Sequence, residues 1–438
     1  MRNTSPNDRH GPATGTSRRR DFIKRTAAAA VAGPLVVGVA RRAHAQGSDT
    51  IRLGLVGCGG RGSGAAGQAL RADRGAKLVA VADAFEDRIR ISLNTLASQM
   101  GEQVDVPSQR QFVGFDGYQG VLGAGVDVVL LATPPHFRPL HLKAAIDAGK
   151  HVFAEKPVAV DAPGIRSVME STELARRKDL FLVSGLNRRY SPRMQEMMQR
   201  IHDGAIGETI ALHAVRYSGG VWTRLREPDM TEMQYQMRNW YYFTWLSGDF
   251  NTEQFVHEYD QVAWAMRDAA PVRVYSTGGR QARTGAEHGH IYDHFSSVFE
   301  YADGQRAFTT ARHQGGCSNQ SGVYVMGTKG TATMAGRDTG ITGENPWRPD
   351  RGPERDSHQL EHDAFFPALR EGRTINNGHY MANSTMMALA ARMSAYTGQT
   401  LTWEEVMASR QQLAPARYAW DADPPPAEVA IPGLTEFI

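Results

Sequence analysis

One stretch constrains the fold of this chain more than any other. Residues 53–62, Leu-Gly-Leu-Val-Gly-Cys-Gly-Gly-Arg-Gly, join an apolar run to a loop spaced G-x-G-x-x-G, with Gly57, Gly59 and Gly62 at the fixed positions and Gly60 and Arg61 between the last two. The first glycine permits a tight strand-to-helix turn, and the second lets backbone approach a pyrophosphate. The third lets helix pack on strand, so that the helix N-terminus faces the phosphates. Spacing alone is a weak signal in a chain with 45 glycines. The next apolar run, 77–83, strengthens it by ending on Asp83, twenty-one positions after Gly62. An acid there accepts from the 2′-hydroxyl of an adenosine ribose and repels a 2′-phosphate, so NAD is expected over NADP. Arg61 and Arg88 weaken that preference, and a glycine-rich turn with a surface Asp is the bland alternative.

The pattern around the loop agrees with it. Short apolar runs at 51–57, 77–83, 126–133, 151–157 and 180–186 read as strands buried on both faces, separated by helical stretches such as 138–149. That alternation predicts an α/β Rossmann domain, a parallel sheet between helical layers. After about residue 190 the texture changes. Runs at 209–218, 271–280, 290–301 and 306–314 read as antiparallel strands, with Asp303-Gly304 as a hairpin turn, and helices are expected at 254–267 and 385–396. The expected organisation is a Rossmann domain at 46–187 and a C-terminal α+β domain at 188–438 with a large open, mostly antiparallel sheet. Residues 420–433, rich in proline, read as an extended surface tail.

Residues 1–45 read separately. A basic start, a modest apolar run at 27–40 and the ending Ala43-His44-Ala45 form the layout of a cleaved secretory leader, too short to span a membrane. Arg19-Arg20-Asp21-Phe22-Ile23-Lys24 resembles the twin-arginine export signal, with Arg18 where that signal has Ser or Thr. Cleavage after about Ala45 and a periplasmic or otherwise exported protein are expected, the alternative being a disordered basic tail. The leader carries nine Lys and Arg against two Asp, a surplus of seven that takes the formal charge from +3 to −4 once removed. The remainder has no basic block, which argues against nucleic acid as a partner, and no membrane span is expected in it. Cys58 and Cys317 are the only cysteines, too few for a disulfide framework or a cysteine zinc cage.

Thr133-Pro134-Pro135-His136 after an apolar strand, followed by Glu155-Lys156-Pro157, resembles the Gfo/Idh/MocA oxidoreductases, and the likeness runs through nearly the whole chain beyond the leader. The resemblance implies a Rossmann domain and a sheet-rich domain with nicotinamide between them. It adds Thr133, Pro134, His136, Glu155 and Lys156 to Gly57, Gly59, Gly60, Arg61, Gly62 and Asp83 as cofactor-binding residues. Chemically, a lysine at the C-terminal end of a parallel strand points into the ligand crevice, where partial desolvation lowers its pKa and makes it a usable proton donor or acceptor. The alternative for Lys156 is a structural ion pair with Glu155. In the family a helix carries Asp-x-x-x-His-x-x-Asp, and Glu253-x-x-x-His257-x-x-Asp260 fits with Glu in place of the first Asp. Positions i and i+4 share a helix face, so Glu253 and His257 are expected to reach one ligand. His257, titrating near neutrality, would take the proton of an alcohol as its hydride leaves, alone or with Lys156. Asp260 reads as structural.

Asn187, in a motif that borders substrate in the family, and the aromatic run 240–245, chiefly Trp240 and Tyr241, complete the substrate candidates. Aromatic faces stack on sugar rings; core packing is the equal alternative. His288, His290, Asp293 and His294 invite a metal reading. On a strand, His290 and His294 would lie about 13 Å apart, too far to share an ion, so no metal is expected. The function expected is NAD-dependent oxidation of a secondary hydroxyl on a sugar, cyclitol or glycoside. An NAD-dependent glycoside hydrolase working through transient C3 oxidation stays open as the alternative. A sugar-binding protein with a vestigial cofactor fits less well, because Lys156 and His257 are both present. Exported beyond the cytoplasmic NAD pool, the chain should hold its cofactor tightly and recycle it in place. A homodimer or homotetramer is expected from the open sheet.

Overall fold

The apolar runs that alternate with helices do build a parallel sheet. The computed structural model describes residues 49–438 apart from residue 351, so the leader reading lies outside the described residues. Strands β1 (Ile51–Val56), β2 (Ala76–Asp83), β3 (Gln111–Val113), β4 (Val128–Leu131), β5 (His151–Ala154) and β6 (Leu182–Ser184) align in the order β3-β2-β1-β4-β5-β6, every pair parallel. Chain order reverses between β1 and β4, and the C-terminal ends of those strands open the crevice in which such sheets hold ligands. The edge strand β3, three residues long, was not among the expected strands.

Each face of this sheet is buried under helices. Gly60–Ala72 and Glu86–Met100 cover one face, where Ala65, Ala66 and Ala69 meet Leu53, Leu55 and Leu78. The same apolar cluster takes in Phe365, Phe366 and Leu369 from the distant helix Ser357–Glu371. Residues 375–377 then run along β6, where Leu182 N donates to Ile375 O (2.9 Å) and Asn377 N donates to Leu182 O (2.8 Å). A division at 187/188 therefore separates the sequence but not the cores, since a late segment completes the first sheet.

The second sheet is formed by β7 (Thr209–Ser218), β8 (Arg273–Gly279), β9 (His294–Glu300), β10 (Arg306–His313), β11 (Gln320–Gly327), β12 (Gly330–Met334), β13 (Gly340–Gly343) and β14 (Leu401–Thr402). Its order is β13-β12-β11-β7-β10-β9-β8-β14, antiparallel except for the β7–β10 pair. The turn between β9 and β10 is Asp303-Gly304, with Gly304 at φ +86°. Side chains alternate along β10: Ala307, Thr309, Ala311 and His313 are buried, Thr309 beside Tyr259 of helix Val256–Ala265 and His313 stacked on Phe250, whereas Phe308 stands 40% exposed on the opposite face. Among the described residues no helix is long and apolar enough to cross a membrane.

Two local expectations fail. The helix expected at 254–267 is two helices, Phe250–Glu253 and Val256–Ala265, interrupted at residues 254–255. The strand expected from 290 begins only at His294, because the residues before it form a loop organised by Asp293. That carboxylate, buried, accepts backbone N–H from Gln281 (2.8 Å), Ala282 (2.5 Å) and Arg283 (3.0 Å), and further bonds come from His294 (2.8 Å) and Gln314 (2.9 Å). Donors crowded on the ionised form hold its pKa down at about 2 against the desolvation that opposes them. The stabilisation is present above the ordinary carboxylate range and is lost as pH falls through about 2. We expect Asp293→Asn to lower unfolding free energy at pH 7 by about 1–3 kcal/mol. The gap to wild type should narrow as the pH of the urea titration is brought below 3.8.

Candidate active site

At the C-terminal end of β1 the glycines do different jobs. Gly57 has φ +100°, and a Cβ there would stand 2.5 Å from Thr133 N; one at Gly62 would stand 1.9 Å from Gly57 O. These two make the turn and let helix Gly60–Ala72 sit on it. A Cβ at Gly59 or Gly60 would meet nothing within 4 Å, because both border a cavity of about 490 Å³. Asp83, at the end of β2, also lines it. Its Oδ2 accepts from Cys58 N (2.7 Å) and its Oδ1 from Phe85 N (3.0 Å), so the acid latches the loop and keeps lone pairs for a ribose. Burial pushes the Asp83 carboxyl up from its ordinary value, opposed by those two N–H donors. An open backbone cradle at one end and an acid at the other fit a dinucleotide.

Lys156 follows β5, joined to Pro157 by a cis peptide bond. Its Nζ donates to two acceptors of one residue, Glu253 O (2.6 Å) and Glu253 Oε1 (3.0 Å). The carbonyl is available because helix Phe250–Glu253 ends there. The lysine therefore pairs with Glu253 and not with Glu155, which instead holds Arg61 of the glycine loop (Nε–Oε1 3.0 Å). Lys156 and Glu253 are 13% and 11% exposed at their side chains. His257, half-buried at the second position of helix Val256–Ala265, has its pKa well below the usual imidazole value. Burial contributes most, followed by Lys156, Arg188, Arg216 and His358. This corrects the expectation that His257 titrates near neutrality: it stays an uncharged base as pH falls through 6.5.

The comparisons with known proteins meet the same two halves. A model described as "Oxidoreductase family, NAD-binding Rossmann fold" matches residues 51–185, and "GFO/IDH/MocA C-terminal domain" matches residues 194–333. The chain belongs to the Gfo/Idh/MocA oxidoreductase family. Its Rossmann half is an NAD-binding domain. Inositol 2-dehydrogenase of Rhizobium meliloti (strain 1021) is 26% identical over 337 residues, 74% of this chain and 91% of that protein. Inositol 2-dehydrogenase 3 of Saccharopolyspora erythraea is 30% identical over 259 residues, 59% of this chain but 65% of that protein. The crystal structure of an aldose-aldose oxidoreductase from Caulobacter crescentus shares the fold with TM-score 0.62 at 16% identity, spanning 81% of this chain and 99% of that one.

Within this Gfo/Idh/MocA site several expected residues take other places. Tyr241 is 2% exposed, stacked parallel to His313, and offers no ring face to a ligand. Trp240 lines the cavity that Gly59, Gly60 and Asp83 border, with its ring centroid 6.0 Å from that of Trp222. Asn187 is 6% exposed, and its Nδ2 bonds Ser357 Oγ (2.7 Å) and His358 Nδ1 (3.3 Å). It anchors the helix Ser357–Glu371 and so sets the position of His358. Thr133 and Pro134 line the cavity, but His136 does not; its Nε2 bonds Tyr418 Oη (2.8 Å), and burial lowers its pKa to about 4. Asp260 is structural, bound to Arg189 (2.9 Å) and Ser384 (2.9 Å). Among the described residues no group of three or more His, Cys, Asp or Glu could hold a metal ion.

What sequence reasoning missed is the roof of the cofactor cavity. Trp222, Arg224, Met237 and Arg238 approach from the second domain. Arg238 grips Asp87 with both terminal nitrogens (2.9 and 2.7 Å) and lies 3.7 Å from the Phe85 ring centroid. The extended tail adds Trp420, with ring centroids 5.0 Å from Phe85 and 4.6 Å from Phe115, both of which line the cavity. Its carbonyl accepts from Thr231 Oγ1 (2.6 Å). The tail's one aromatic, Trp420, thus clasps the rim of the cavity. Trp420→Ala removes two aromatic contacts, and we expect NADH release, followed by stopped-flow fluorescence, to speed up about threefold to tenfold.

Proposed function

We propose that this chain oxidises a secondary hydroxyl on the ring of a sugar or cyclitol, with NAD retained through many turnovers and recycled by a second substrate. One observation carries the reading: Lys156, just after β5, bonds Glu253, four residues before His257, while Glu155 beside it holds Arg61 of the glycine loop. NAD, when bound, supplies the hydride acceptor. The chain supplies the rest. Uncharged His257 has a lone pair to accept the hydroxyl proton as the C–H hydrogen leaves. Lys156 spends two of its three N–H bonds on Glu253, which aims the ammonium and leaves the third for the substrate oxygen. The inositol 2-dehydrogenase relatives support a cyclitol or sugar, and the aldose-aldose oxidoreductase neighbour supports recycling between two sugars.

Export by the twin-arginine route and a homodimer or homotetramer belong to the same proposal. Twin-arginine export carries folded protein, so NAD can be loaded beforehand. For assembly, the second sheet leaves Phe308 (40%) and Tyr275 (37%) exposed on either side of Val298 on the face away from its helices, an apolar row suited to packing on a second copy.

The test is to purify the protein without added cofactor, release and quantify bound NAD, then add sugars, inositols and aryl glycosides. Stoichiometric NADH that persists until a second sugar reoxidises it is the expected result. Leaving-group release with no net NADH would point to the hydrolase instead, and absence of NAD binding would defeat both. Lys156→Ala and His257→Ala should each lower turnover about 10²–10⁴-fold while NAD stays bound. In wild type the rate should show no acid limb at pH 6.5 from His257, since its depressed pKa keeps the base form.

A further inference from the structure

The charges around His257 do not cancel. Lys156 is matched by Glu253, but Arg188 and Arg216 share one oxygen of Glu258, at 2.9 and 3.1 Å. Glu258 is fully buried, and its other oxygen has no partner. Arg216 projects from β7 on the face that holds buried Leu212 and Ala214, towards the helices. Its Nη2 reaches Gln254 (3.2 Å), and its buried Nε has no partner. Arg283, 3% exposed, is fixed in the loop gathered by Asp293. Among the described residues its one side-chain hydrogen bond goes to uncharged His313 (Nη2–Nδ1 2.9 Å), its guanidinium lies 5.5 Å from the Tyr242 and Phe250 ring centroids, and its buried Nη1 has no hydrogen-bond partner. His313 stacks on Phe250, the first residue of the helix that ends at Glu253, and Arg216 and Arg283 both act on its charge. Asp293 engages the backbone N–H of Arg283 (3.0 Å), and Asp249, which feels the Arg283 charge, bonds Tyr292 N (3.0 Å) and Tyr396 Oη (2.5 Å).

Among the described residues the guanidiniums leave buried nitrogens unused, as Glu253 and Glu258 each leave one oxygen, and the surplus of Lys156, Arg188, Arg216 and Arg283 over those two carboxylates favours an anion. We propose that the substrate is an acidic sugar whose carboxylate is read by Arg216 and Arg283, with Arg188 steadying Glu258 behind them. This rests on the oxidoreductase reading above and adds the substrate class. A planar guanidinium fork matches carboxylate geometry, and a carboxylate brings one negative charge. A phosphate would bring nearly two, into a cluster where Glu253 and Glu258 already neutralise part of the positive charge. Arg188 and Arg216 remain 30% and 25% exposed at their side chains, so the anion can enter from water.

The test is calorimetric titration of the NAD-loaded full chain with glucuronate, glucose and glucose 6-phosphate. Glucuronate should bind about 10- to 100-fold tighter than glucose, the scale of one charged hydrogen-bonded contact. Added salt should narrow that ratio. Arg216→Gln and Arg283→Gln, made separately so that misfolding of one leaves the other to decide, should bring the ratio towards one. A merely structural role would weaken both sugars alike and leave the ratio unchanged, which overturns the proposal. Equal binding of glucuronate and glucose, tighter binding of glucose 6-phosphate, or no binding of any of the three also overturns it. If glucuronate is preferred as expected yet never yields NADH, the acidic-sugar preference stands and the oxidoreductase reading falls.

Discussion

The contact on which the rest depends is the pair between Lys156 and Glu253. It joins the C-terminal end of the parallel sheet to the first short helix of the second domain, and neither side chain keeps much access to water. A buried ammonium without its carboxylate would be uncompensated, a loss of several kcal/mol, so the two domains are held at one relative position wherever this pair forms. Both acceptors belong to Glu253, and the backbone one exists because the helix stops at that residue. The extra methylene of Glu over the family's Asp thus reaches across to the lysine, in addition to standing one turn before His257. The residue expected to reach one ligand with the histidine is first a partner for the lysine.

With Lys156 fixed, the field at His257 follows. The imidazole feels the charges of Lys156, Arg188, Arg216 and His358, and Glu253 and Glu258 are each ion-paired through one oxygen to those cations. A proton on His257 would be repelled from several directions while losing hydration, which keeps the ring uncharged and ready to accept. The same field that keeps the base free draws an anion, so base chemistry and preference for an acidic ligand come from one arrangement of charge. Arg189 shows the contrast: one residue beyond Arg188, it is enclosed by Asp260 and Asp268 and contributes to packing alone.

The parts legible in the sequence were those set by local pattern. Alternating apolar runs placed β1, β2, β4, β5 and β6, and glycine spacing placed the turn before helix Gly60–Ala72, because strand period and backbone sterics act within a few residues. What failed depends on distance. Nothing near residues 254–255 marks a helix break, with neither Gly nor Pro present; the interruption coincides with the Lys156 contact from 97 positions away. Asn187 looked like a ligand-facing amide because Ser357 and His358 lie 170 and 171 residues further on. Tyr241 and Trp240 are neighbours of like character, yet one is core and the other lines a cavity, a difference that a one-residue step decides and composition does not. Arg216 and Arg283 carried no motif, and their shared neighbourhood exists only once β7 pairs with β10.

The two ends of the cleft differ in how they are closed, and the difference bears on the proposed chemistry. Over the glycine loop and Asp83 the roof is pinned to both domains: Arg238 holds Asp87, and Trp420 packs against Phe85 and Phe115. Release of a dinucleotide from that end requires a charged pair and an aromatic clasp to yield together. Around His257 the groups are instead long arginine side chains, Arg188 and Arg216, which stay 30% and 25% exposed to water. Slow exchange at one end and fast exchange at the other is what in-place recycling demands of a protein acting beyond the reach of a cytoplasmic NAD pool, the setting that the proposed export implies. A soluble dehydrogenase that trades NAD for NADH at each turnover needs the reverse, an adenosine end that opens as readily as the substrate end.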